Sequence, residues 1–159
     1  MYGGDFLFQI GDCIVYPMLG AGVIKAIEEK EISGKSQRYY IIQMKISKME
    51  LMIPTTKIVS SGVRPVTELS GLKNIINIFQ NGESDRTLVW KQRFKINSEK
   101  IKTGRIEEEA EVVRDLKNLQ KEKALNGSEK KMLDDAHEFL ISELELIEGI
   151  TENQIKSFC

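Results

Sequence analysis

All three prolines of this 159-residue chain, Pro17, Pro54 and Pro65, fall before residue 67, and none follows. Proline lacks a backbone donor and clashes with the preceding helical turn. Residues 69–159 are therefore free to be helical throughout, while residues 8–66 are broken into short segments. The spacing of apolar residues changes at the same place, from β-branched runs to recurrence every three or four positions. We place a boundary near Pro65 to Gly71 and expect an α+β chain. A small curled β-barrel occupies residues 1–66, and a compact all-helical unit occupies residues 67–159. A barrel of that size is near the lower limit for independent folding, so it should lean on its neighbour or on a partner.

In the first unit, Cys13-Ile14-Val15-Tyr16 reads as a strand stopped by Pro17, and Gly20-Ala21-Gly22 as a tight turn into a strand from Val23 to Ile32. Ser33-Gly34-Lys35-Ser36 reverses the chain into Arg38 to Ile46, Ser47-Lys48 turns it into Met49 to Ile53, and Ile58-Val59 gives a fifth short strand after Pro54. In the second unit, Leu72, Ile75, Ile76 and Phe79 mark one face of a helix that stops at Asn81-Gly82. A second helix is expected from about Thr87 to Lys102, with Trp90 and Phe94 on one face and Gly104 closing it. A third, from about Ile106 to Leu125, turns Ile106, Ala110, Val113, Leu116 and Leu119 inward and ends at Asn126-Gly127. Ser128 is the expected N-cap of a fourth, in which Glu129 suits the dipole and Met132, Leu133, Ala136, Phe139, Leu140, Leu144 and Ile147 form the buried stripe. Thr151 with Gln154 has the form of a capping box for a last short helix.

Lys plus Arg number 23 and Asp plus Glu 24, a formal net charge of −1, which excludes a uniformly basic nucleic-acid binder. The charge is nonetheless polarised. Residues 86–105 hold seven bases (Arg86, Lys91, Arg93, Lys95, Lys100, Lys102, Arg105) against Glu99 alone, and residues 132–159 hold seven acids against Lys156. Such blocks orient a molecule toward a polyanion, although each is also compatible with a solvated helix face. The only tryptophan, Trp90, sits among the bases. Cations that hold phosphates beside a flat ring that stacks or wedges suit a nucleic-acid surface, and packing of Trp90 on Phe94 inside the core is the alternative.

Convergent catalytic chemistry is missing from the sequence. The lone histidine, His137, lies beside a completed apolar stripe and reads as a boundary residue. Glu107, Glu108, Glu109 and Glu111 point around a helix axis and read as a solvated first turn, not as a metal site. No phosphate-cradling or nucleophile-elbow motif is present. Cys13 and Cys159 are too few and too far apart for a disulfide framework or a zinc site, which fits a reducing cytoplasm. No apolar run approaches a membrane span, and Met1 to Ile10 carries Asp5 and no basic leader. We expect a cytoplasmic protein that is not an enzyme and carries neither cofactor nor metal.

Phe8-Gln9-Ile10-Gly11-Asp12, Val15-Tyr16-Pro17, Gly20 to Ile27, Trp90-Lys91-Gln92-Arg93-Phe94-Lys95, Ala110 to Leu116 and Ser128 to Leu133 together resemble the CarD/CdnL family of bacterial transcription regulators. The first unit of that family is similar to the polymerase-interacting domain of transcription-repair coupling factor. The resemblance spans about residues 6–148. It implies a Tudor/SH3-like barrel that docks on the β subunit of RNA polymerase and a helical domain that touches promoter DNA, with no catalysis. Carried over by position, Trp90 matches the tryptophan that wedges into the minor groove at the upstream edge of the transcription bubble. Arg93 and Lys95 match neighbouring backbone-holding bases, to which Arg86 and Lys91 add charge, and Gln92 replaces a further base. Lys30, Ile32 and Pro54 match the polymerase-facing edge, and Met52 stands where some relatives place arginine.

The expected role is therefore a regulator, acting as a monomer, that is tethered to polymerase and stabilises the open promoter complex. A rival of another class is an adaptor whose barrel binds polymerase while the acidic end of the helical unit, including Asp134 and Asp135, recruits a second protein without DNA contact.

Overall fold

A computed structural model describes residues 6–159, so the part of the leader expectation that rests on Asp5 lies outside the described residues. Five strands, β1 (Cys13–Tyr16), β2 (Gly20–Ile32), β3 (Lys35–Met44), β4 (Glu50–Pro54) and β5 (Arg64–Pro65), form one antiparallel sheet in the order β4-β3-β2-β1-β5. Five helices follow: α1 (Leu69–Asn81), α2 (Trp90–Lys102), α3 (Ile106–Glu122), α4 (Gly127–Leu144) and α5 (Glu152–Lys156). The α+β class is as expected from the change of period.

The sheet curls round a core of Phe8, Ile14, Ile24, Tyr40, Ile42, Met44, Ile53, Ile58 and Val63. The β2–β3 hairpin closes through Ser33 and Gly34, both at positive φ, a two-residue turn whose twist matches that of the strands. One extra residue at Lys25 breaks the register between Ile24 and Ala26.

The fifth strand differs from expectation. Ile58 and Val59 form no strand: a 3-10 turn over Thr55–Lys57 runs into further turns, where Ser61 Oγ donates to the Ile58 carbonyl and the Ser61 amide to that of Lys57. Ile58 plugs the core from there, while Val59 points to solvent. A two-residue β-branched pair is too short to choose a ladder over a turn. The strand is instead Arg64–Pro65 on β1, where a proline is tolerated because its missing donor faces the open edge.

Helix ends also moved for local reasons. Asp85 Oδ1 accepts from the Thr87 amide and hydroxyl, and this turn delays the start of α2 to Trp90. The N-cap of α4 is Asn126, not Ser128: its side-chain oxygen takes the Glu129 amide at 2.8 Å. The α3 helix stops at Glu122, short of Leu125. The Thr151–Gln154 capping box forms as read. The helical core is Leu72, Ile75, Ile101, Ile106, Ala110, Val112, Val113, Leu116 and the α4 stripe, closed by Phe158 against Phe79.

One carboxylate joins the sheet to the helices. Glu143, on α4 and 1% exposed, receives Arg64 from β5 through two parallel bonds of 2.7 and 2.6 Å. It also accepts the Thr67 amide and hydroxyl at 2.8 Å. The same guanidinium donates to the Gly104 carbonyl at 3.0 and 2.7 Å, just beyond α2. Gly104 has φ +70°, and a Cβ there would meet Pro17 at 2.9 Å, so the close approach favours glycine on both counts. Nearby, the Ala21 amide donates to Ser142 Oγ, and Lys45 pairs with Glu145. Burial works to lower the Arg64 pKa, but the hydrogen bonds and charge of Glu143 outweigh it and hold it above the ordinary value.

The acidic start of α3 is not the solvated turn expected. Glu109 is buried beside this joint, and Glu111 pairs with Lys100 at 2.7 Å. Burial first, and then the charge of Glu143, push the Glu109 carboxyl well above its ordinary value of 4.5, against the pull of Arg64. The folded state thus keeps a proton that the unfolded chain releases. Its contribution to stability is complete below 4.5 and is lost as pH rises through the raised value. Glu109→Gln, which has no such proton to lose, is expected to melt higher than the parent at about pH 8 and to show a flatter decline between about pH 5 and pH 8. Thermal melts across that range check this, and identical slopes would contradict it.

Candidate functional site

Trp90 is the first residue of α2, and its indole is 46% exposed, resting edge-on against Phe94 with ring centroids 6.4 Å apart. It is not sealed in the core, the alternative that spacing left open. The position follows from the Asp85–Thr87 turn, which puts the ring at the helix entry beside exposed Val89. The amides of the first turn lack intrahelical partners, so this end of α2 carries the positive pole of the helix dipole.

The seven bases of residues 86–105 divide into two groups. Arg86 pairs with Glu122, Arg93 with Glu129, Lys100 with Glu111 and Arg105 with Glu107. Lys91 and Lys95, one and five residues beyond Trp90, are exposed, and Lys102 is exposed at the far end of the helix. None of these three makes an ion pair among the described residues. The free positive charge around the ring is therefore much smaller than the sequence count. Gln92 is exposed and accepts from the Val89 amide at a long 3.4 Å.

Arg93 does not stand free for a phosphate. Its Nε and Nη2 donate to Glu129 Oε2 and Oε1 at 2.6 and 2.7 Å, and its Nη1 reaches the Leu88 carbonyl at 3.3 Å. The two side chains are 14% and 2% exposed. The hydrogen bonds that Arg93 donates to Glu129 hold its pKa above the ordinary value, against burial. A run of alternating bases cannot reveal which base turns inward, because the partner lies 36 residues away. The signal that was available is the helical spacing of Trp90 and Arg93, which brings Arg93 round toward α4.

On the sheet, Lys30 and Ile32 lie on the distal half of β2, opposite Gln37 and Lys35 of β3, and Met52 and Pro54 lie on the edge strand β4, opposite Ile41 and Tyr39. Cross-strand partners share a face and strands alternate with period two, so all four residues belong to one face. Ile32 and Met52 are exposed apolar side chains, Lys30 is exposed and pairs with Glu28 at 3.3 Å, and Pro54 is half-buried. Among the described residues β4 has no strand on its outer side, and such an edge offers backbone groups to an incoming strand.

The acidic end of the helical unit is less of a surface than its composition suggests. Glu143 is consumed by the interdomain joint, Glu145 by Lys45, and Asp135 by Lys131, leaving Asp134, Glu138, Glu148 and Glu152 exposed. His137 is half-buried, with Nε2 3.3 Å from the Phe158 carbonyl; burial, followed by the charge of Lys117, lowers its pKa. Among the described residues no group of three His, Cys, Asp or Glu side chains converges as a metal site, and no helix is long and apolar enough to cross a membrane.

Comparison with known proteins bears on the chain as a whole. The family model of the CarD-like/TRCF RID domain matches residues 8–67, and that of the CarD C-terminal domain matches residues 74–159. A Bacillus subtilis (strain 168) protein named "Putative transcription factor YdeB" is 69% identical over 152 residues, 96% of this chain and 99% of that protein. The solution structure of the 72-residue N-terminal domain of Myxococcus xanthus CarD is 28% identical, covering 38% of this chain and 80% of that one, with a TM-score of 0.32.

A half-exposed ring on a helix end contributes little to folding. Trp90→Ala is expected to change unfolding stability by about 1 kcal/mol or less, whereas Leu116→Ala in the helical core costs about 2–5 kcal/mol. Denaturant titrations of both variants measure this, and a loss at Trp90 as large as that at Leu116 would give the ring a core role.

Proposed function

The chain belongs to the CarD family, and from that membership we propose that this transcription regulator binds the β subunit of RNA polymerase and lengthens the life of the open promoter complex. The CarD-like/TRCF modules are a family known to interact with RNA polymerase, so the first half of the chain is the anchor. The Lys30, Ile32, Met52 and Pro54 face, with the open β4 edge beside it, is the docking surface. Ile32 and Met52 supply apolar contact, and the strand edge supplies backbone hydrogen bonds. Met52 makes this contact more apolar than arginine would.

The observation that carries the DNA half of the reading is Trp90, half-exposed at the positive end of α2, with Lys91 and Lys95 exposed on the first turns of the same helix. Once strands have parted, an indole can wedge into the widened minor groove at the upstream edge of the bubble. Unstacking a base step costs about a few kcal/mol, so a ring that fits only the melted form binds open and closed states unequally. A difference of about 1.4 kcal/mol moves their ratio tenfold. Tethering through the sheet raises the effective concentration of the helical unit at the promoter, so contacts too weak to hold free DNA suffice. Lys91 and Lys95 hold the backbone, and Arg86, exposed in its pair with Glu122, adds to the local field. The protein acts in the cytoplasm as a monomer, on polymerase and promoter, by binding alone.

Trp90→Ala is expected to shorten the open-complex half-life about tenfold while leaving polymerase binding unchanged. Met52→Glu is expected to weaken polymerase binding while leaving the fold intact. Because only two or three lysines of residues 86–105 are without an ion pair among the described residues, the slope of log affinity for DNA against log salt should be about −2 to −3, at 0.9 per contact. Competitor-challenge half-lives, polymerase pull-downs and salt titrations measure the three. Unaltered half-lives for Trp90→Ala on several promoters would remove the wedge. Promoter footprints altered by reversal of Asp134 and Glu138, and not by reversal of Lys91 and Lys95, would favour the adaptor instead.

A further inference from the structure

We infer that Arg93 is a positioning residue: with Glu129 it clamps the entry of α2 and sets the direction in which Trp90 leaves the protein. Four observations converge on it. First, Arg93 sits three residues beyond Trp90, so its side chain lies under the same turn. Second, all three of its donor contacts are made within the protein: two go to Glu129 on α4 and one to the carbonyl of Leu88, two residues before the ring. Third, Glu129 is itself fixed. It is the third residue of α4, its amide is held by Asn126 Oδ1, and Asn126 Nδ2 lies 3.4 Å from its Oε1. Fourth, the pair is nearly closed to solvent, so water does not compete for these bonds.

The chain from residue 83 to 89 has no regular structure beyond the Asp85 turn, and Trp90 follows it directly. Without a tie, the first turn of α2 would fray, and the ring with it. The guanidinium bridges that connection to the buried Glu129 carboxylate in the first turn of α4 in one planar fork, a geometry a lysine ammonium cannot reproduce. The backbone leading into the ring is thereby fixed to a helix that belongs to the core.

This inference deepens the wedge reading and rests on it for its consequence at promoters, but its structural half can be read without DNA. Trp90 is the only tryptophan, so fluorescence of the full chain excited at the red edge, beyond tyrosine absorption, reports this ring alone. Glu129→Gln and Arg93→Lys are each expected to raise acrylamide quenching of Trp90 and to lower its anisotropy. In the promoter assay each is expected to shorten the open-complex half-life about three- to tenfold, and the double variant is expected to be no worse than the more severe single one, since both break the same tie. Thermal melts identify any variant that unfolds; the milder Arg93→Lys then carries the test.

The opposite assignment, Arg93 as a phosphate contact, gives opposite signs. Glu129→Gln would free the guanidinium, lengthen the half-life and steepen the salt dependence, and Arg93→Lys would be nearly silent. That pattern, or unchanged quenching in both variants, overturns the clamp. Should Trp90→Ala leave half-lives unaltered, the wedge reading fails by itself, and the quenching data still decide whether Arg93 positions the ring.

Discussion

Everything the molecule presents outward is referenced to one buried carboxylate. Glu143 takes two hydrogen bonds from Arg64 and two from Thr67, and Arg64 carries the link on to the end of α2 through the Gly104 carbonyl. Sheet, interdomain connection and second helix thus meet at a single guanidinium. Removing one partner from a buried pair leaves the other charge without compensation, a cost of about 3–5 kcal/mol, so the joint holds or fails as a unit. At the nearby Glu109, burial and then the charge of Glu143 push the carboxyl upward, which favours its neutral form beside an arginine already paired with another carboxylate.

The same logic operates at the other end of α4. Glu129 and Glu143 stand fourteen positions apart on this helix, close to four full turns, and so project from one face about 21 Å apart. Each receives an arginine from elsewhere in the chain: Arg93 from the start of α2, and Arg64 from β5, which also holds the Gly104 carbonyl just beyond the end of α2. The α2 helix is therefore tied to α4 at both termini by charge-assisted bonds, and to the core between them through Ile101. A helix held in this way can offer an indole at its exposed end in a fixed direction relative to the sheet. A wedge that discriminates between closed and open DNA needs that direction to be set beforehand, because ordering the ring at the moment of contact would consume the differential affinity.

What the sequence disclosed and what it hid follow from the range of the interactions involved. The Thr151–Gln154 box, the apolar stripe of α4 and the strand ending at Pro17 rest on neighbours within a few residues, and pattern reading found them. The N-cap of α4 was missed by two positions because Asn126, Gly127 and Ser128 all suit a helix start, and only the bond to the Glu129 amide selects among them. Ile58-Val59 has strand composition, but β1 had already found its partner at Arg64–Pro65. The charges were least legible. Arg93, Glu129 and Glu143 look like solvated surface in one dimension, and each is turned inward by a partner tens of residues away, while Glu109 is buried beside the Arg64–Glu143 pair. Trp90, by contrast, stands out in the sequence as the one tryptophan among bases, though its exposure had to come from the coordinates.

The central claim is that an anchored body presents Trp90 to parted strands. Placing a photoreactive benzophenone amino acid at position 90 of the full chain, and irradiating it in complex with polymerase and promoter, tests that claim at the ring itself. The account predicts adducts on DNA at the upstream boundary of the bubble, formed in open complexes and lost when melting is blocked. Adducts on protein alone, or DNA adducts equally strong before and after melting, would contradict it.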